Sequence, residues 1–425
     1  MNGKLYKWNG KQEEGVMKIS VLCIGDELLR GSTTNTNLAR IGQSLGATAM
    51  FPVMEMAVKD TGESIIDGLN VLFARSDIII STGGLGPTSD DVTKTTVAEY
   101  FNFKLKNNAE VANKIKSFWS VRRLGKMPPS VLNQALVPEG AQILENRTGT
   151  APGLIVKNAE SGKTVIMLPG PPHEMTPMFE EFVVPYLKSV SKNRLYTELV
   201  YVSGLPESSV EEKVAPLVSS EPELSIAYCA SPESIKVFLS GKKPRLVSGK
   251  MKEIKVALKE FLLSPGSRSI AEDIYFLLEK RKYKLGVAES CTGGMIAAAI
   301  TDIPGSSKVV SGSAVVYSNG WKEKVLGIRK TTLEKHGAVS SQCAGEMVDN
   351  VCVKYDADAG IAVTGIAGPS GGAESKPVGL VFIATRYDGK KLVRQYNFPG
   401  TREMVRRRAV SSALNQLRRQ ILCRS

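Results

Sequence analysis

The sequence predicts an α/β protein: an N-terminal doubly wound, parallel-type sheet, a small α+β middle domain and a C-terminal α/β domain. Three observations carry that expectation. The chain has 425 residues, and at about 150 residues per domain that makes roughly three domains. An apolar strand running into a glycine loop and then a helix occurs in both the first and the last third, the order that builds parallel sheets. Between them lies a stretch of different pattern, closed by the linker-like Ser264-Pro265-Gly266-Ser267.

The elements follow in order. Residues 1–16 are polar, either a disordered leader or a segment ahead of the true start at Met17. The first domain spans 17–175. Lys18–Ile24 reads as a strand, Asn37–Leu45 and Asp60–Ala74 as helices, and Asp77–Thr82 as a buried strand. Asp60 and Glu63 have capping-box spacing, with Asp60 as the cap. A helix follows over Val92–Phe101. Residues 178–262 form the middle domain, with strands Leu199–Val202 and Ile235–Leu239 and helices Ser208–Val218 and Val247–Phe261. The third domain spans 266–425. It reads as helix Ile270–Arg281, strand Leu285–Ala288, helix Gly294–Thr301, strands Ala314–Tyr317, Ala359–Thr364 and Gly379–Arg386, and helix Met404–Ile421. In that last helix Val405, Ala409, Ala413, Leu417 and Ile421 recur every fourth residue, a stripe made for a core.

Composition bounds the function. Apolar residues make up 42% and charged residues 23%, enough to bury full cores without staples. The six cysteines form no CxxC pair and no zinc spacing with histidine, which fits reduced thiols in a cytoplasmic protein. There is no signal-peptide pattern and no run of 18 apolar residues, so the expectation is a protein without a membrane span. A net charge of +13 suits nucleic acid, phosphorylated small molecules or solubility alone, and does not choose among them.

Chemistry concentrates in the third domain. Ala288-Glu289-Ser290-Cys291-Thr292-Gly293-Gly294 follows a strand and opens a helix. Ser290 there is either a nucleophile on a sharp turn beside helix N–H groups or, like Thr292, simply a helix cap. A serine nucleophile needs a base, and the chain has only two histidines. Lys322, in Tyr317-Ser318-Asn319-Gly320-Trp321-Lys322, is the substitute if it is desolvated, with Trp321 and Tyr317 as apolar cover and Tyr317 as a proton relay. Otherwise it is one solvated lysine among many. Gly365-Ile366-Ala367-Gly368-Pro369 lets backbone approach a ligand, as an oxyanion hole or as an ordinary turn. Arg402, Arg406, Arg407 and Arg408 crowd the start of the last helix, where cations are unfavourable. A nucleotide phosphate would offset them, and so would solvent.

Together with His336-Gly337-Ala338-Val339-Ser340 and Lys376-Pro377-Val378-Gly379, these segments closely resemble the C-terminal domain of the CinA family over about residues 268–420. The resemblance implies a nicotinamide-nucleotide amidase that needs no cofactor. Ser290 would attack the carboxamide carbon of nicotinamide mononucleotide. Lys322, assisted by Tyr317, would carry the proton to departing ammonia. Thr292, Gly293, Thr364, Gly365, Gly368, Arg402 and Arg406 would hold oxyanion and substrate. Cys291 is a chemical rival to Ser290 that the family reading sets aside.

Two loops stand out in the first domain: Gly25-Asp26-Glu27, with Asn35-Thr36-Asn37 beyond it, and Thr82-Gly83-Gly84-Leu85-Gly86-Pro87-Thr88-Ser89-Asp90-Asp91. Glycines after a strand cradle phosphates, and adjacent carboxylates suit a hard divalent ion. Alternatively Asp90 and Asp91 favour the helix N-terminus that follows. With Gly149-Thr150-Ala151-Pro152-Gly153 and Pro169-Gly170-Pro171-Pro172-His173-Glu174-Met175, this region resembles the molybdopterin-binding-like first domain of CinA proteins. That resemblance implies metal-dependent cleavage of ADP-ribose. Glu27, Gly83, Gly84, Gly86, Thr88, Asp90, Asp91 and Glu174 would form the site, and Asp90 and Asp91 would hold a divalent metal. Val58-Lys59-Asp60 departs from the family's Gly-Asp and puts that loop's contacts in doubt.

The middle domain resembles a KH-type fold but lacks the GxxG clamp. From Lys236 to Lys259 it carries eight Lys/Arg against one Glu, a surface suited to spacing or dimerisation more than to nucleic acid. The expected partners are therefore small nucleotides and a second copy in a homodimer, with no membrane. The alternatives are a molybdopterin- or nucleotide-binding protein and a nucleic-acid-associated competence accessory.

Overall fold

The computed structural model describes residues 17–46, 50–122, 125–191, 195–231 and 234–423. The expected leader, residues 1–16, lies outside them. The chain forms two compact units, one running up to Glu198 and including Ser240–Val247, the other made of Leu199–Leu239 and Ser248 onward.

In the first unit the strands are β1 (Ile19–Ile24), β2 (Pro52–Val58), β3 (Ile78–Thr82), β4 (Leu105–Asn107), β5 (Leu136–Pro138), β6 (Gln142–Leu144), β7 (Gly153–Lys157) and β8 (Thr164–Leu168). The main sheet has the order β2-β1-β3-β8-β7-β6. Its first four strands are mutually parallel, β7 runs antiparallel to β8, and β6 antiparallel to β7. Every residue of β1, β3 and β8 is buried, because helices cover both faces. One face packs Ile65, Leu69 and Leu72 of helix Gly62–Phe73. The other packs Ile41 and Leu45 of helix Thr36–Gly46 against Met175, Met178 and Phe179. The expected capping box is corrected: Thr61, not Asp60, caps helix Gly62–Phe73, accepting from the Ser64 N–H. Asp60 instead accepts the Asp26 N–H at 2.8 Å, so its carboxyl ties β2's end to β1's loop.

The middle sheet has the order β10-β11-β9, from β9 (Tyr196–Val202), β10 (Leu224–Ala230) and β11 (Ile235–Gly241). The last sheet contains β12 (Leu285–Glu289), β13 (Val310–Val315), β14 (Ala359–Gly365), β15 (Leu380–Tyr387) and β16 (Lys390–Asn397), in the order β13-β12-β14-β15-β16. β13, β12 and β14 are parallel, β15 runs antiparallel to β14, and β16 antiparallel to β15. The expected stripe of helix Arg402–Leu422 is fully buried. It lies in one core with helices Ile270–Glu279 and Met295–Thr301. Helix Ser341–Lys354 forms the opposite core with Leu326 and Leu333. Strand Ala314–Tyr317 was expected too late: β13 ends at Val315, and Tyr317 stands beyond it in the loop.

Ser264–Ser267 is pinned rather than loose. Asp273, fully buried, accepts from the Ser264 N–H and the Ser267 hydroxyl. Its other oxygen pairs with Arg418, itself 1% exposed, which also donates to the Leu262 carbonyl.

Candidate functional site

Ser290 follows the last residue of β12, the strand flanked on both sides by parallel neighbours. The chain leaves β12 for β13 on one side and returns for β14 on the other, so the strand's C-terminal end opens a crevice. The Ser290 N–H continues the ladder to the Val363 carbonyl, and the Val316 N–H bonds the Glu289 carbonyl. The turn that follows runs through Gly293 and Gly294 at φ of 61° and 95°, a backbone that suits glycine. It presents Ser290 at 7% exposure.

Lys322 comes from helix Asn319–Leu326, capped by Ser318. Its Nζ lies 3.1 Å from Ser290 Oγ, 2.9 Å from the Val316 carbonyl and 3.4 Å from the Tyr317 carbonyl. Lys322 is 1% exposed. Burial holds its pKa below the ordinary lysine value; the neighbouring thiols of Cys343 and Cys291 act weakly the other way. The expected cover is supplied differently, since Trp321 is 53% exposed and Tyr317 57% exposed. Trp321 instead faces Lys324, whose Nζ is 5.1 Å from the ring centroid. Cys291, the rival nucleophile, is pushed up to about 11 by burial, which keeps it a thiol at neutral pH.

Ser290, Lys322, Tyr317, Thr364, Gly365, Gly368 and Arg402 share one cavity of about 230 Å³. Ala338 and Val339 form part of its wall. That wall is held by Thr364, whose hydroxyl donates to the Ala338 carbonyl, and by Lys376, which donates to the His336 and Val339 carbonyls, each at 2.8 Å. Arg402 donates to the Gly368 carbonyl and to the Tyr317 hydroxyl, both at 2.8 Å. Thr292 and Gly293 sit in the turn beneath. The Gly293 N–H bonds the Ser290 carbonyl, and the Thr292 hydroxyl is buried without a hydrogen-bond partner.

Two residues were missed or misplaced by sequence reasoning. The motif gives Glu289 no evident task, yet its fully buried carboxylate accepts from the N–H groups of Gly294, Ile296 and Ala297 at 2.9–3.1 Å. Those are the helix N–H groups expected beside Ser290. Arg406 points inward, at the carbonyls of Cys291 and Thr292 (3.1 and 2.9 Å). The alternation of side chains along a strand, which sets Glu289 opposite Ser290, was the available signal.

In the first unit the glycine loop follows β3, the strand between β1 and β8, and so lies beside the switch point at β1. Gly83 and Gly84 have φ of 103° and 66°, and a Cβ on Gly83 would meet the Ile24 carbonyl at 2.1 Å. Asp91 accepts from the Gly86 and Thr88 N–H groups at 2.7 and 2.9 Å and from the Thr88 hydroxyl. Asp90 is exposed. Glu27 folds back over Gly25. Glu174 accepts from Asn146 at 2.6 Å. Asp60 is raised by burial first and then by the charges of Glu27, Asp26 and Asp90, against the lowering bond from Asp26. Beside the loop, burial holds Lys94 down to about 8 while it donates to the Asn133 carbonyl. Among the described residues no group of three or more His, Cys, Asp or Glu side chains is arranged to hold a metal ion. With Asp91 and Glu174 spent on local bonds, the expected carboxylates do not fit a metal as placed.

Among the described residues no helix is long and apolar enough to cross a membrane. The family described as "CinA C-terminal domain" matches residues 267–421. The one described as "Probable molybdopterin binding domain" matches 20–189. The chain is similar to the competence/damage inducible protein CihA of Agrobacterium tumefaciens, 41% identical, over 35% of this chain and 91% of that one, with a TM-score of 0.34. It is also similar to the CinA protein of Thermoplasma acidophilum, 32% identical, over 41% of this chain and 98% of that one, with a TM-score of 0.37. A CinA-like protein of Dictyoglomus turgidum is 39% identical over 96% of this chain and 100% of its own length. By that end-to-end match, this chain belongs to the CinA family.

Proposed function

We propose that the C-terminal domain is a Ser–Lys amidase that converts nicotinamide mononucleotide to nicotinate mononucleotide and ammonia. The observation that carries this reading is the 3.1 Å contact between Ser290 Oγ and a buried Lys322 Nζ within a cavity. Ser290 Oγ attacks the carboxamide carbon while Lys322, as neutral amine, takes the hydroxyl proton. The C–N bond breaks as that proton passes to the departing nitrogen, which leaves as ammonia. Water then attacks the acyl-Ser290 ester, Lys322 again taking and returning a proton, and nicotinate mononucleotide is released. The cavity, about 230 Å³, is below the roughly 300–1,000 Å³ of sites that enclose a whole drug-sized ligand. It therefore takes the carboxamide ring and leaves ribose and phosphate at the mouth, where Arg402 and Tyr317 stand. With Arg406 turned to backbone carbonyls, Arg402 is the cation of this set that lines the cavity.

Purified wild type is expected to release ammonia from nicotinamide mononucleotide, and Ser290→Ala and Lys322→Ala to lose at least about a thousandfold in rate with unchanged folding. Full activity in either variant removes the Ser–Lys mechanism.

For the first unit, the glycine turn supports binding of a phosphate-bearing ligand such as a molybdopterin or a nucleotide. Metal-dependent ADP-ribose cleavage through Glu27, Asp90, Asp91 and Glu174 is the finer reading, and the local bonds of Asp91 and Glu174 do not favour it.

A further inference from the structure

The turn that presents Ser290 is gripped from two sides by opposite charges. On one side the Glu289 carboxylate, fully buried, takes the N–H groups of Gly294, Ile296 and Ala297. On the other the Arg406 guanidinium donates to the carbonyls of Cys291 and Thr292. Arg406 reaches there because it lies one helical turn before Ala409 on helix Arg402–Leu422, whose stripe is fixed in the core. A Cβ on Gly293 would stand 3.2 Å from the guanidinium, so the two are packed in contact.

This grip decides which amides remain for the reaction. The peptide group is planar and trans, so each N–H points opposite to the preceding carbonyl. The Ser290 carbonyl turns inward to accept the Gly293 N–H, which sends the Cys291 N–H out of the turn. Cys291 lines the cavity beside Ser290. The amide after a nucleophile is the donor that strand-to-helix elbows use for an oxyanion. The helix N–H groups of Gly294, Ile296 and Ala297 are closed to substrate by Glu289.

We propose that Glu289 and Arg406 are positioning residues. One holds the amides and the other the carbonyls of the Ser290–Gly294 turn, and together they aim Ser290 Oγ at Lys322 and the Cys291 N–H at the developing oxyanion. The proposal rests on the Ser290 nucleophile argued above. Arg406 then acts on every substrate alike. A phosphate-binding Arg406 would act only on phosphorylated ones.

The test is the labelling rate of Ser290 by a fluorophosphonate, which carries no nucleotide phosphate subsite and reads the nucleophile directly. Wild type, Glu289→Gln, Glu289→Asp, Arg406→Met and Ser290→Ala are compared as full chains with their melting curves. Displacement of a reacting group by about 1 Å costs roughly a hundredfold, so folded Glu289→Gln and Arg406→Met are each expected to label about 100-fold more slowly. Amidase kcat should fall in parallel while KM changes little. Glu289→Asp keeps the charge but is one methylene short, and it is expected to fall between; it also serves if Glu289→Gln does not fold. Labelling of both folded clamp variants within about twofold of wild type overturns the proposal. A rise in KM alone for Arg406→Met, with normal labelling, makes that residue a phosphate ligand and overturns its part. Wild type that labels no faster than Ser290→Ala overturns the nucleophile itself and the clamps with it.

Discussion

Lys322 Nζ has three bonding directions, and its surroundings assign all of them. Two face the Val316 and Tyr317 carbonyls, which can only accept. When the amine is neutral it has two hydrogens and one lone pair. The hydrogens satisfy the carbonyls, and the lone pair is left facing Ser290. The same contacts thus fix the position of the amine and aim its lone pair. The charged form also fits this geometry, so the balance is set by burial, which holds the pKa below the ordinary lysine value. The sign follows: the base is present above that lowered pKa and absent below it. The kcat/KM for the amide is therefore expected to fall as pH drops through the Lys322 pKa, and a pH–rate profile checks this. An alkaline-only limb near the ordinary lysine value would contradict it. Ser290 and Lys322 were legible as a pair because the chain offers so few histidines. The second carbonyl and the exposure of Tyr317 were not, because a loop's path past a strand end leaves no periodic trace in sequence.

Helix Arg402–Leu422 does three jobs along its length. Its start places Arg402 at the cavity and Arg406 on the turn, its middle fills the core, and its end carries Arg418 to Asp273. The core stripe was readable from the four-residue recurrence, since burial imposes a period. The arginines were not, because their crowding suggests an external anion, whereas loop carbonyls meet Arg402, Arg406 and Arg408, and Glu403 meets Arg407. The Asp273–Arg418 pair is fully buried, so removing one partner strands a charge, at a cost of about 3–5 kcal/mol. Arg418→Met and Asp273→Asn are each expected to lower the melting temperature of the full chain markedly. A double variant should recover part of the loss; additive loss in a double-mutant cycle would show the two do not act as a pair.

Across the whole molecule a related arrangement appears twice: a glycine turn at the C-terminal end of a buried parallel strand, β3 in the first unit and β12 in the last sheet, with an acidic residue accepting from nearby backbone amides. Asp91 does in the first unit what Glu289 does in the second. The strand–loop–helix order made both sheets legible, and the glycines marked both turns. Whether a motif's carboxylate faces outward to a cation or inward to backbone is a matter of one side-chain torsion, which spacing does not encode. Asp91→Asn is accordingly expected to loosen its own loop, lowering nucleotide binding by the first unit, and to leave amidase activity unchanged. Loss of both activities together would argue against independent sites.

The pinned segment at Ser264–Ser267 bears on where the chain can be cut. A fragment starting at residue 268 would look complete by its motifs. It would nonetheless leave Asp273 without the Ser264 and Ser267 donors and Arg418 without the Leu262 carbonyl. It would also strip Leu263 and Tyr201 from the core they cover. Such a fragment should melt lower than one beginning at Leu199, although every residue assigned to catalysis is present in both.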